Sequence, residues 1–174
     1  MKKIIILIPV YNDWESLHSL LQKINENIKG IDDFIFDCIV VNDASTLNPS
    51  KLIKPSKINS IKILNMKENR GHGRCNAIGI RYIFNNEKFN YLILMDGDGE
   101  DRPEELKALI SQIKKEPSNS VVAKRIKRSE GHLFKFLYQM HKLITYVFTG
   151  KNINFGNYSC LTKKDVAFLA SEAS

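Results

Sequence analysis

The stretch YLILMDGDGED, Tyr91 to Asp101, decides the fold. Tyr91 to Met95 is apolar throughout, which marks a strand covered on both faces, since a strand wetted on one side would alternate. It runs directly into an acidic turn, Asp96-Gly97-Asp98-Gly99-Glu100-Asp101. Pro103 then stands at the favoured first position of a helix, with Glu104 and Glu105 in its electropositive first turn. Buried strand, polar turn and helix together form the repeating unit of an α/β fold with a mainly parallel sheet.

Outward from there the unit recurs. Lys3 to Pro9 reads as a first buried strand. A helix follows from about Asp13, a good N-cap, with Trp14, Leu17, Leu21, Ile24 and Ile28 at helical spacing and Gly30 as its stop. Phe34 to Val41 is a second strand, ending at Asn42-Asp43-Ala44-Ser45. A polar linker with Pro49 and Pro55 leads to a third, Ile61 to Leu64. The loop Glu68 to Gly73 opens a helix through Phe84. Beyond the acidic turn come a strand at Val121 to Ala123, a basic cluster at Lys124 to Arg128, and a mixed helix from about Leu133 to Phe148. A short strand near Tyr158 to Leu161 and a helix of two turns started by Thr162 and Asp165 complete the chain. No repeat, low-complexity tract or linker divides it. A length of 174 residues fits one domain.

Hydrophobic residues make up 43% and charged residues 26%, the balance of a globular protein. The net charge of +7 suits nucleic acid, an anionic membrane surface or a phosphorylated substrate, and composition does not choose among them. Cys38, Cys75 and Cys160 are odd in number and lie far from zinc spacing, so free thiols in a reducing cytosol are expected. Met1 to Val10 lacks a cleavage site after its apolar run, so a secretory signal is not expected. No stretch reaches the roughly 18–20 apolar residues of a membrane span. A cytoplasmic location follows from these readings. The Leu133 to Phe148 segment stands as core, an oligomer contact or an interfacial helix, the last giving peripheral attachment to the cytoplasmic membrane face.

Open α/β sheets bind ligands beyond the carboxyl ends of their strands. Three polar clusters fall there: Pro9 to Asp13, Asn42 to Ser45, and Asp96 to Asp101. Asp96 and Asp98, two apart across Gly97, offer hard oxygens to one cation, which suits Mg²⁺ or Mn²⁺ with phosphate oxygens completing the shell. A solvated acidic turn is the plainer alternative. A calcium loop fails, because Lys107 occupies the twelfth position where a bidentate Glu belongs. Gly71-His72-Gly73 resembles part of a dinucleotide fingerprint, yet Asn76 takes the place of its third glycine and the third strand precedes it. What remains is either a flexible loop entering a helix start, able to accept an anion, or a loop with convenient glycines and no ligand. The four histidines show no ligand constellation.

Five segments in order carry a family resemblance. IILIPVYND (Ile5 to Asp13), IVVNDAST (Ile39 to Thr46), NRGHGRCNAIG (Asn69 to Gly79), LILMDGDGEDRPEE (Leu92 to Glu105) and VVAKR (Val121 to Arg125) resemble the successive motifs of family 2 glycosyltransferases. The flavour is that of the polyprenyl-phosphate sugar transferases. The resemblance implies a GT-A fold, a Rossmann-like three-layer sandwich with a mainly parallel central sheet, spanning residues 1–174 as one domain. It also implies that relatives continue further, so that the chain is a C-terminally truncated member. The function implied is inverting, metal-assisted transfer of a sugar from a nucleotide-diphospho-sugar, UDP first and GDP second, to a lipid-phosphate or saccharide acceptor.

Residue by residue, the resemblance places Pro9, Tyr11 and Asp13 around the nucleotide and Asp43 on the base. Arg70, Gly73 and Asn76 fall near the nucleotide or diphosphate. Asp96 meets ribose or metal, Asp98 binds metal, Glu100 is a third ligand, and Arg125 meets the diphosphate. Asp101 and Asp165 are the candidates for a general base, Asp101 being carried as catalytic with Asp98 and Arg125. Asn42 and Asp13 replace the family's usual Asp and Glu. Three rivals stand beside this reading. An inactive sugar-nucleotide-binding scaffold would bind without turnover. A nucleotidyltransferase would need a glycine-rich loop after the first strand, which Pro9 to Trp14 lacks. A nucleic-acid binder is opposed by the acidic crevice.

Overall fold

Residues 1–47, 53–124 and 155–172 are described in the computed structural model. In chain order they form β1 (Lys2–Val10), α1 (Trp14–Ile28), β2 (Phe34–Asn42), β3 (Ile58–Asn65), α2 (His72–Asn86) and β4 (Tyr91–Leu94). Then follow α3 (Leu106–Lys115), β5 (Val121–Lys124), β6 (Phe155–Thr162) and α4 (Lys163–Glu172). One six-stranded sheet has the order β3-β2-β1-β4-β6-β5. β1 pairs parallel with β2 and β4, and β2 parallel with β3, while β6 runs antiparallel between β4 and β5. The sheet is therefore mixed and mainly parallel, as expected.

The unbroken apolar run of β1 has a direct cause. Ile4, Ile6, Ile8 and Val10 enter one core with Trp14, Leu17 and Ile24 of α1 and with Leu106, Leu109 and Ile113 of α3. Ile5 and Leu7 enter the other, with Cys75, Ile80 and Ile83 of α2 and Val166 and Ala170 of α4. Helices cover both faces, giving three layers. Each fully buried Ile or Leu contributes about 1.5–3 kcal/mol.

Several elements extend past their sequence-based limits. β3 begins at Ile58 rather than Ile61, because Asn59 Nδ2 and Ser60 Oγ each donate to Asp37 of β2 at 2.7 Å and draw a polar stretch into the edge. The α1 cap forms as read, Asp13 accepting from the Ser16 amide at 3.2 Å, and Gly30 follows at φ +79°. Pro103 opens a 3₁₀ turn, Pro103–Glu105, that feeds α3. α4 has ten residues, nearer three turns than two. Its capping box is modified: Asp165 N–H donates to Thr162 Oγ1, while the Thr162 amide goes to Ser120 Oγ at 2.9 Å. The basic cluster from Arg125 and the Leu133 to Phe148 segment lie outside the described residues. Among the described residues no helix is long and apolar enough to cross a membrane.

The chain leaves β1 through α1 to β2 on one side, whereas β4 lies on the other. This reversal opens a crevice beyond the carboxyl ends of β1 and β4, the topological switch point.

Candidate active site

Each wall of the crevice is built by hydrogen bonds between loops. After β1, Asn12 turns at φ +54°. Its Oδ1 accepts from the amides of Thr46 at 2.8 Å and Leu47 at 3.0 Å, and its own amide donates to Ser45 Oγ. The β1 and β2 loops are thereby locked together, leaving Tyr11 half-exposed and Asp13 at the rim. After β2, Asn42 serves the backbone: Oδ1 accepts the Ser45 amide at 2.9 Å. Asp43 is buried, and its two oxygens accept the amides of Arg70 and Gly71, both at 2.8 Å. That carboxylate holds the loop entering α2.

The turn after β4 depends on Gly97. A Cβ there would stand 2.6 Å from the Pro9 carbonyl oxygen, so the β1 and β4 turns meet backbone to backbone. Asp101 lies beneath, only 3% exposed, with Oδ2 accepting the Asp96 amide at 2.9 Å. Asp98 is exposed, its Oδ1 accepting the Glu100 amide at 2.9 Å. Across the crevice His72, first residue of α2, brings Nε2 to 2.6 Å from Asp96 Oδ1. That hydrogen bond raises the imidazole pKa against the opposing effect of burial, and the charges of Asp96, Asp98 and Asp101 add to the rise. Cys75 is buried beside Asp43, and burial pushes its thiol up to about 12, so it is inert.

The crevice has a volume of about 360 Å³, within the range of small-molecule sites. Of the sequence-predicted residues, Pro9, Tyr11, Asp13, Asp43, Asp96 and Asp98 line it together, with His72. The others fall differently. The Arg70 guanidinium pairs with Glu68 at the surface, and Gly73 and Glu100 are exposed. Asn76 sits behind His72, Asp101 braces the floor, and Arg125 lies outside the described residues. A larger depression of about 510 Å³ opens at the opposite end of the sheet, near Lys2, Phe34, Tyr91 and Lys114. Among the described residues its one carboxylate, Asp33, is ion-paired with Lys114, so the chemistry gathers in the smaller site.

His72 was not legible as a site residue. Its partner is 24 residues away, and only the adjacency of α2 and β4 joins them. The one available signal was its place between two glycines at a helix start.

Among the described residues no three carboxylates, imidazoles or thiols form a ligand cluster, so Asp96, Asp98 and Glu100 are not assembled as a triple set. Asp96 and Asp98 nevertheless border the same crevice. Two hard oxygen donors of this kind fit a Mg²⁺ or Mn²⁺ ion that shares its shell with phosphate oxygens.

The three-layer sheet and the acidic crevice at its switch point define a GT-A glycosyltransferase domain. The chain belongs to glycosyl transferase family 2, whose profile matches residues 5–170. It is similar to the undecaprenyl-phosphate 4-deoxy-4-formamido-L-arabinose transferases of Proteus mirabilis, at 27% identity, and Yersinia enterocolitica, at 29%. Each match covers 94% of this chain and 48% of the relative, so the chain spans about half the length of these proteins. Solved structures share the fold. Mannosyltransferase PcManGT from Pyrobaculum calidifontis, in complex with GDP-Man and Mn²⁺, superposes with a TM-score of 0.60 at 14% identity. That match covers 95% of this chain and 46% of that one. S. aureus TarS (1–349) with UDP-GlcNAc gives 0.56 at 20% identity, covering 75% and 36%.

Proposed function

We propose that this domain transfers a sugar from a nucleoside-diphosphate donor, with inversion at the anomeric carbon, to a lipid-phosphate or saccharide acceptor. One observation carries the reading. Tyr11, Asp13, Asp43, His72, Asp96 and Asp98, drawn from three strand ends and one helix start, converge on a single crevice in a family 2 chain.

The chain's own groups suit a donor. Tyr11 offers a half-exposed ring for a base, and Pro9 a rigid apolar wall. No side chain caps α2 at Gly71, and while the Arg74 amide bonds the Gly71 carbonyl, the His72 and Gly73 amides are left as an anion site for a diphosphate. Asp96 and Asp98 would hold Mg²⁺ or Mn²⁺, which supplies positive charge as a nucleoside diphosphate departs. Arg125 is assigned to the same diphosphate on the family resemblance. Asp101, buried under the loop, holds Asp96 in place rather than meeting an acceptor. The relatives named for undecaprenyl phosphate favour a phosphate acceptor. Such a nucleophile is already anionic, whereas a hydroxyl acceptor would need a general base.

A thermal-shift titration with UDP and GDP, each with and without Mn²⁺, tests the donor site. Ligand at one hundred times its dissociation constant stabilises the fold by about 2.7 kcal/mol, or several degrees for a chain of this size. The expected result is a shift that needs one nucleotide together with Mn²⁺ and disappears in Asp98→Ala. Absence of any shift sinks the reading. Binding without transfer to polyprenyl phosphates or saccharides favours a donor-binding scaffold.

A further inference from the structure

We propose that Asn12 is a positioning residue: it ties the backbone of Tyr11 to the loop after β2, and so sets how tightly the crevice holds the nucleoside half of a donor. The inference rests on the donor-site reading above and deepens it. Asn12 is not among the residues that line the crevice. Tyr11 does line it and is 48% exposed, so packing restrains only part of its ring. The direction of the ring depends on the backbone, which is tied to one loop on both sides. Before it, the Val10 carbonyl accepts the Asp43 amide at 2.9 Å. After it, the Asn12 amide donates to Ser45 Oγ at 2.9 Å.

The Asn12 side chain completes the tie. Besides the amides of Thr46 and Leu47, its Oδ1 accepts the Thr46 hydroxyl at 3.3 Å, so three donors of one loop meet on one oxygen. Trp14 holds the same stretch from the start of α1, its indole N–H donating to the Leu47 carbonyl at 2.9 Å. The turn also needs the left-handed φ of +54°, which asparagine adopts more readily than most residues bearing a Cβ. These contacts serve orientation more than stability. Thr46 and Leu47 are exposed, so water can replace Oδ1 at their amides, and each such bond contributes little net folding energy. Loss of the Asn12 amide should therefore loosen Tyr11 while the core beneath β1 and α1 stays intact. The contacts of Asp43 to Arg70 and Gly71 do not pass through Asn12, so the start of α2 keeps its place for a diphosphate.

The test is calorimetric titration of UDP, GDP and inorganic pyrophosphate, all with MnCl₂, into the wild-type chain, Asn12→Gly, Asn12→Asp and Ser45→Ala, with melting curves run alongside. Gly keeps the left-handed φ and removes Oδ1, whereas Asp keeps an acceptor oxygen at the same reach. The quantity read is the ratio of affinities, preferred nucleotide over pyrophosphate, in which the charge added by Asp largely cancels. A base stacked on an aromatic ring is worth about 10- to 100-fold in affinity. Asn12→Gly is expected to lower the ratio about 10-fold with pyrophosphate affinity unchanged. Asn12→Asp should restore the ratio, and Ser45→Ala should lower it less. An unchanged ratio in Asn12→Gly overturns the proposal, whether both affinities hold or both fall together, and so does a ratio that Asn12→Asp fails to restore. If Asn12→Gly does not fold, Ser45→Ala decides, and an unchanged ratio there has the same force. Wild-type protein that binds pyrophosphate as tightly as either nucleotide leaves nothing for Asn12 to position, which also overturns it. Wild-type protein that binds neither nucleotide removes the donor-site reading itself, and that failure is seen before any variant is compared.

Discussion

At the scale of single residues, the crevice is shaped by groups whose types are readable but whose tasks are not. Asp43 is legible as a polar residue at a strand end, yet its two oxygens are spent on the amides of Arg70 and Gly71. Nothing local to residues 39–46 announces that partner loop. Ala44 next to it is quieter still. It holds φ +55°, where its Cβ crowds the following carbonyl, and alanine gives no hint of a left-handed turn. Ala44→Gly should relieve the strain and stabilise the fold by about 1 kcal/mol, after allowing for glycine's freedom in the unfolded chain. Melting temperature should rise by about 2–4 °C. A fall would mean the alanine methyl is held by packing that outweighs the backbone cost.

At the scale of elements, patterning carries most of the information and long-range polar contacts the rest. The double-sided apolar runs of β1, β2 and β4 make their burial legible. The start of β3 is not legible, because Asn59 and Ser60 enter the sheet only through Asp37. That residue ties three strands: it also pairs with Lys3 of β1 at 2.7 Å. Burial pushes its carboxyl up, but the hydrogen bonds from Lys3, Asn59 and Ser60 and the charge of Lys3 together bring it below 3.8. A carboxyl lowered on folding contributes stability above its unfolded value of about 4, and that contribution is lost as pH falls through the folded value. Urea unfolding of wild type and Asp37→Asn should therefore differ most near pH 7, and the gap should narrow below pH 4. A gap of constant size down to pH 3 would mean that Asp37 acts through shape and neutral hydrogen bonds alone.

At the scale of the whole molecule, the three layers could be read from the sequence but the strand order could not. β6 inserts antiparallel between β4 and β5 although it follows both, and that choice depends on where the chain returns after residue 154. Local periodicity carries no such information. The insertion nonetheless leaves the switch point between β1 and β4 intact, which is why the crevice could be anticipated from strand ends alone. It also sets where a ligand should be felt. Hydrogen exchange should be slowest in the centre of the sheet, at Ile4–Ile8 and Leu92–Leu94, where strands are paired on both sides and covered on both faces. The loops at 43–46, 69–73 and 96–101 should exchange faster, because their order rests on a few hydrogen bonds between loops. Addition of the preferred nucleotide with Mn²⁺ should slow those three loops together, since Asp43, His72 and Asp96 share one crevice. Protection appearing instead around Lys2, Phe34 and Tyr91 would place the ligand in the depression at the other end of the sheet, and the carboxylates of the switch point would then have no claim on the chemistry.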